Sequence, residues 1–141
     1  MRALVLDEFG GTPEVKTVDV PRPGRSQVLV QIDSSPVNPS DYSFMRGLYS
    51  TAKKTPVIPG FEASGTIVAT GSDLLSRRLR GKKVSCFAPS DGNGTWAEYM
   101  LTSNKMVIPL KQGIDLEQGS MLMVNPITVM AMVDIAKKGN H

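Results

Sequence analysis

The sequence predicts a mainly β domain with short helices, and three observations carry that expectation. Thirteen glycines and ten prolines in 141 residues cut the chain into short runs, which suits strands and turns better than a helix bundle. Several runs alternate apolar and polar residues with the period of a half-buried strand. The length is that of one domain. With 40% hydrophobic and 21% charged residues, the chain has the means to bury one core rather than stay disordered.

The elements follow in order. Residues 3–6 form a first strand, stopped by Gly10-Gly11. Residues 15–20 alternate and stop at Pro21-Arg22-Pro23-Gly24; residues 27–33 follow, with Val28, Val30 and Ile32 on one face. The Pro/Gly turn between Val20 and Val28 predicts neighbouring strands. Residues 41–47 read as a short helix, with Ser40 as N-cap and Gly47 as stop. Residues 56–60 form a rigid loop. A strand spans 63–69, and Gly65 inside it signals a bulge or a close backbone approach. Residues 83–87, 95–101 and 106–109 are three further strands. Residues 115–123 hold a short helix. A last helix runs over 127–138, with Asn125 as N-cap, Pro126 in the first helical position and Gly139 as stop. Its residues are apolar on most sides, which calls for burial on more than one side. The expected division is 1–123 as a domain and 124–141 as a connecting helix.

Composition excludes several classes. One Cys allows no intrachain disulfide, and one Cys with one His cannot build a zinc site from four Cys/His ligands. A carboxylate-rich calcium or magnesium site is not excluded by composition. The formal charge of +3 is too small to imply nucleic acid by itself. No run of about 18 apolar residues offers a membrane span. The N-terminus MRALVLDEFGG lacks the apolar region of a signal peptide, so the expected location is cytoplasmic.

Four stretches, taken in order, carry a family resemblance: VNPSD (37–41), PGFEASGTI (59–67), GKKV (81–84) with GTWAEY (94–99), and VNPITVMAM (124–132). Together they resemble the N-terminal catalytic domain of medium-chain dehydrogenases/reductases, in the zinc-independent branch of quinone oxidoreductases and enoyl thioester reductases. The resemblance implies a GroES-like, partly open β-barrel that precedes a Rossmann domain. Zinc-dependent relatives carry Cys at the position of Asn38 and His at that of Phe61. Asn and Phe do not ligate zinc, so no metal is expected.

The same resemblance singles out four residues. It puts the Asn38 amide near the nicotinamide or the substrate oxygen, donating where zinc would otherwise polarise a carbonyl. Read as a residue alone, Asn before Pro is a turn former whose amide caps backbone. Tyr49 matches a tyrosine that protonates the substrate or orients its carbonyl, as a phenol O–H donor; alternatively it packs at a loop. Pro commonly follows this Tyr in relatives, and Ser50 here predicts a different path for 50–55. Ser40 and Thr128 fall on the cofactor side by resemblance, and Thr128 alternatively bonds to the backbone of its own first turn. Asp41 is expected to be structural, Glu62 to be a structural carboxylate pairing with a nearby cation or backbone, and Trp96 to pack in a core or between domains.

Arg77, Arg78, Arg80, Lys82 and Lys83 put five positive charges in seven positions. They read as a solvated inter-strand loop, or as a contact for RNA or another polyanion; no aromatic interleaves them for base stacking. No glycine-rich turn opens a helix, so nothing in the chain cradles a pyrophosphate. The expected function is therefore the substrate side of an NADPH- or NADH-dependent reductase of a quinone, enone or enoyl thioester. The cofactor domain is expected beyond His141, these 141 residues are expected to be inactive alone, and a homodimer is possible. The rival is a binding module that uses 77–83.

Overall fold

The computed structural model describes residues 1–50 and 53–139. Its strands are β1 (Arg2–Val5), β2 (Glu14–Thr17), β3 (Gln27–Ser34), β4 (Glu62–Thr70), β5 (Lys83–Phe87), β6 (Tyr99–Ser103) and β7 (Val107–Pro109). The helices are α1 (Pro39–Met45), α2 (Leu74–Leu79), α3 (Leu116–Gly119) and α4 (Asn125–Lys138). Five strands form an open antiparallel sheet in the order β6-β3-β4-β5-β7, and β1 and β2 form a separate ribbon. The mainly β expectation holds.

The sheet's core comes from alternate residues of its central strands. Val28, Val30, Ala63, Ile67, Val84, Cys86 and Met100 pack as one cluster. Cys86 is fully buried, and its Sγ donates to the Ala63 carbonyl at 3.4 Å. Burial pushes its thiol pKa up to about 12. Smaller clusters join β1 to the 56–60 loop: Ala3, Val5 and Ile58 in one, Leu6, Phe44 and Val57 in the other. Trp96 packs against the first of these, as expected. Gly65 also meets its expectation: a Cβ there would lie 2.0 Å from the Gln31 carbonyl oxygen, and the β3–β4 register shifts between Ile32 and Ser34.

Five local expectations are corrected. First, β2 ends at Thr17 and pairs with β1, Leu4 opposite Val15; it is not a neighbour of β3. Pro21 and Pro23 lack the N–H that a ladder needs, so the chain between them links the two sheets. Second, 95–98 are not strand: Thr95 N and Trp96 N bond to Gly60 O and Pro59 O, which diverts that segment onto the 56–60 loop.

Third, α1 begins at Pro39 with Asn38 as N-cap, not Ser40. Pro suits the first position, and the Asp41 carboxylate three residues past the cap accepts from Asn38 N at 2.7 Å, which is half of a capping box. Fourth, α4 begins at Asn125 and its N-cap is Val124; the Asn125 side chain turns instead toward Asn38 Oδ1, 3.4 Å away. Fifth, Arg77 and Arg78 belong to α2, not to a loop. The Asp73 carboxylate caps that helix by accepting from Ser76 N.

Among the described residues no helix is long and apolar enough to cross a membrane. Nothing among the described residues covers the apolar surround of α4: none of its residues is buried, and Val129, Met130, Met132 and Ile135 are each more than half exposed.

Candidate functional site

The site begins at Glu62, the first residue of β4. Its side chain is 1% exposed, so its oxygens need partners. Oε1 accepts from Asn38 Nδ2 at 2.9 Å. Oε2 accepts from Met123 N at 3.0 Å and Val124 N at 2.9 Å. One carboxylate therefore ties the start of α1 to the start of α4. These are charge-assisted bonds, stronger than neutral ones. Of the two partners expected for a structural Glu62, a nearby cation or backbone, the structure shows backbone, joined by the Asn38 amide.

Local backbone fixes where Glu62 emerges. Gly60 has φ +95°, and a Cβ there would lie 2.1 Å from Thr95 Oγ1. Only glycine combines that dihedral with that approach. The loop after Pro59 is thereby locked to Thr95 and Trp96, and it delivers Phe61 and Glu62 in fixed positions.

Phe61 opens the other half of the site. Its ring lies 5.1 Å from that of Tyr49 and 5.6 Å from that of Phe44, centroid to centroid. Lys53 Nζ stands 5.5 Å from the Phe61 centroid and 5.8 Å from the Phe44 centroid, within cation–π range. Lys53 is only 5% exposed. Burial pulls its ammonium pKa down, against the attraction of Asp41 and Asp91. Asp41 is fully buried, and among the described residues its Oδ1 has no hydrogen-bond partner. Burial pushes its carboxyl pKa up, while the Asn38 and Phe61 amides oppose that shift. Tyr49, Lys53, Phe61, Ala88, Pro89 and Ser90 line a cleft of about 480 Å³, a size that admits a small organic molecule.

The predicted residues divide over these two halves. Asn38 sits in the polar half, buried, with an amide hydrogen on Glu62. Tyr49 sits in the cleft, about half exposed. Ser40 lies in the first turn of α1, half-buried. Thr128 lies in the first turn of α4, where its hydroxyl donates to Val124 O at 2.8 Å, the backbone alternative read from sequence. The peptide link between Phe61 and Glu62 joins the halves. The predicted change of path over 50–55 falls partly on residues 51 and 52, outside the described residues. Sequence reasoning gave Lys53 no role; a lysine held between two rings from distant positions leaves no local signal. Among the described residues no group of three His, Cys, Asp or Glu is placed to hold a metal.

Comparison with known proteins agrees with this architecture. The model of the alcohol dehydrogenase GroES-like domain matches residues 24–112. A quinone oxidoreductase of Rattus norvegicus is 36% identical over 126 residues, 86% of this chain and 37% of that protein. A mitochondrial enoyl-[acyl-carrier-protein] reductase of Caenorhabditis elegans is 34% identical over 136 residues, 94% of this chain and 38% of that protein. A solved Mesorhizobium loti structure, assigned as an NADPH:quinone reductase, superposes with a TM-score of 0.91 at 35% identity, over 99% of this chain and 44% of that one. The chain thus spans a little over a third of the length of the curated relatives it matches.

Proposed function

The chain belongs to the family of alcohol dehydrogenase GroES-like domains, and on that premise we propose that it is the substrate-side domain of a nicotinamide-dependent oxidoreductase. The acceptor is a quinone, an enone or an enoyl thioester, reduced at an electron-poor carbon. The observation that carries this reading is the cleft itself, where a phenol, an ammonium and an aromatic wall converge beside the Asn38–Glu62 bond.

The chemistry follows from where charge develops. Hydride addition to a conjugated carbon pushes an electron pair onto the carbonyl oxygen. Donors aimed at that oxygen in a dry site lower the barrier. The Tyr49 O–H and the Asn38 amide are the donors, and the Lys53 ammonium contributes positive charge. Tyr49, or water beside it, supplies the proton that completes the reduction. The Phe61 face suits a planar conjugated acceptor by offset stacking. NADPH supplies the hydride when bound; Asn38, Ser40 and Thr128 are the residues of this chain that would touch its nicotinamide end. Zinc does not fit this site, because Asn38 and Phe61 offer it no ligand pair.

The pyrophosphate and adenosine ends of a dinucleotide need a glycine-rich turn at a helix start, and residues 1–141 offer none. We therefore expect these residues alone to bind NADPH weakly and to turn nothing over. Fluorescence titration with NADPH, then assays with a quinone and an enoyl thioester, test this. Micromolar binding or turnover by residues 1–141 alone would overturn the reading. Joined to a cofactor domain, Tyr49→Phe should lower kcat by about 10²–10³-fold, with a smaller change in KM.

A further inference from the structure

We propose that Arg25, Arg77 and Arg80 form a binding site for the phosphate group of a small organic ligand, separate from the candidate active site. The three arginines line one cleft of about 590 Å³ together with Thr70, Gly71 and Ser72. They come from different parts of the chain. Arg25 lies in the link before β3, and Arg77 and Arg80 at the end of α2.

The cleft is built by backbone rather than by chance proximity. Gly71 N donates to Gln27 O at 2.8 Å and Asp73 N to Arg25 O at 3.2 Å, which pins the Arg25 segment to the end of β4. Arg77 N donates to Asp73 O at 3.1 Å, which sets the helix on the same anchor. The positions of the three side-chain stems are therefore fixed relative to one another.

The charge in the cleft is not neutralised from within. Among the described residues, none of the salt bridges involves these arginines. The neighbouring acid is Asp73, and its carboxylate is spent elsewhere. Oδ1 accepts from Ser76 N and Asn104 Nδ2, and Oδ2 accepts from Ser76 Oγ. Three arginines lining one concavity focus a positive field. Their forked donors match phosphate oxygens two at a time, and the Thr70 and Ser72 hydroxyls add neutral donors.

The same geometry argues for a discrete ligand over a nucleic acid. Arg78, Lys82 and Lys83 complete the basic run in the sequence, yet none of them lines the cleft. The cleft thus gathers two of the five charges of the run with Arg25 from elsewhere in the chain, a compact cluster and not the run as a whole. The cleft volume falls within the range of small-molecule sites. Its distance from the chemistry also matters. Thr70 and Glu62 are at opposite ends of β4, roughly 25 Å apart at the rise of a strand. A ligand here does not reach the Tyr49 cleft, so the site acts in regulation or docking rather than in the reaction.

Calorimetric titration of the 141-residue chain with inorganic pyrophosphate and with ADP, at low salt, tests the proposal. Saturable binding at one site per chain is expected. Arg25→Gln, Arg77→Gln and Arg80→Gln should each weaken it about tenfold, and Arg78→Gln, the same charge change on the same helix, should leave it unaltered. Arg25→Gln keeps the test intact if an α2 variant fails to fold, which circular dichroism reports. Absence of saturable binding would overturn the site. So would an equal loss with Arg78→Gln. A mixed-sequence RNA that binds while pyrophosphate does not would assign the surface to a polyanion instead.

Discussion

Asn38 and Glu62, 24 positions apart in the chain, meet through an amide-to-carboxylate hydrogen bond of 2.9 Å. Through that bond the helix that follows Asn38 and the helix that carries Thr128 share one anchor, because Glu62 also accepts from Met123 N and Val124 N. A residue with no expected chemistry of its own thus sets the relative position of two that have it.

Glu62→Gln should cost roughly 2–3 kcal/mol, because a glutamine amide presents a donor where one carboxylate oxygen accepted. Urea denaturation measures the loss. Hydrogen exchange localises it: the Met123 and Val124 amides should exchange faster, while those in the middle of β3 change only with global stability.

Lys53 gives a stability term with a definite sign in pH. Burial lowers its folded-state pKa below the ordinary 10.5. Between the depressed folded value and 10.5 the unfolded chain binds more protons at this site, so its contribution to stability rises with pH through that window. Lys53→Met removes the contribution. The difference in unfolding free energy between Lys53→Met and the native chain should therefore shrink as pH climbs toward 10.5. A difference that is flat with pH would contradict the burial of the ammonium.

Asp41 contributes with the opposite dependence. Its folded-state pKa is raised above 3.8 by burial, so native protein binds more protons there than unfolded chain does. Its contribution to stability falls as pH rises from 3.8 through the folded value. Asp41→Asn should flatten that part of the stability–pH curve, read by denaturant titration across the acid range.

Gly60→Ala should destabilise by about 3 kcal/mol or more, since φ of +95° and a Cβ contact of 2.1 Å combine backbone strain with a clash. Thermal denaturation gives the magnitude.

The purified chain should hold no stoichiometric zinc after dialysis, because the residues at the ligand positions are Asn38 and Phe61. Elemental analysis decides this. One zinc per chain would remove the argument that Asn38 and Tyr49 act without a metal.

The strands of the central sheet were legible because their alternation is local: Val28, Val30 and Ile32 declare a face without reference to anything else. The close backbone approach at Gly65 was legible because a lone glycine inside a strand pattern is itself a local signal. The partner of β2 was not, since pairing depends on where the chain returns, and Pro21 and Pro23 turned it away from β3. The α2 helix was hidden behind its arginines, although Asp73 and Ser76 at cap spacing were available as a signal. For the site, family resemblance rather than periodicity pointed to Asn38 and Tyr49. Lys53 was illegible, because its environment is made by Phe44 and Phe61, nine and eight residues away on either side, and only the folded chain closes them around it.

The burial of Cys86 has a practical consequence for anyone who handles this protein. The chain's one thiol is sealed in the sheet and held protonated far above neutral pH, so alkylating reagents meet almost no thiolate while the fold is intact. A cysteine introduced on the surface could carry a spectroscopic label alone, without first deleting the native one. Conversely, the rate at which Cys86 is modified reads out how often the whole sheet opens.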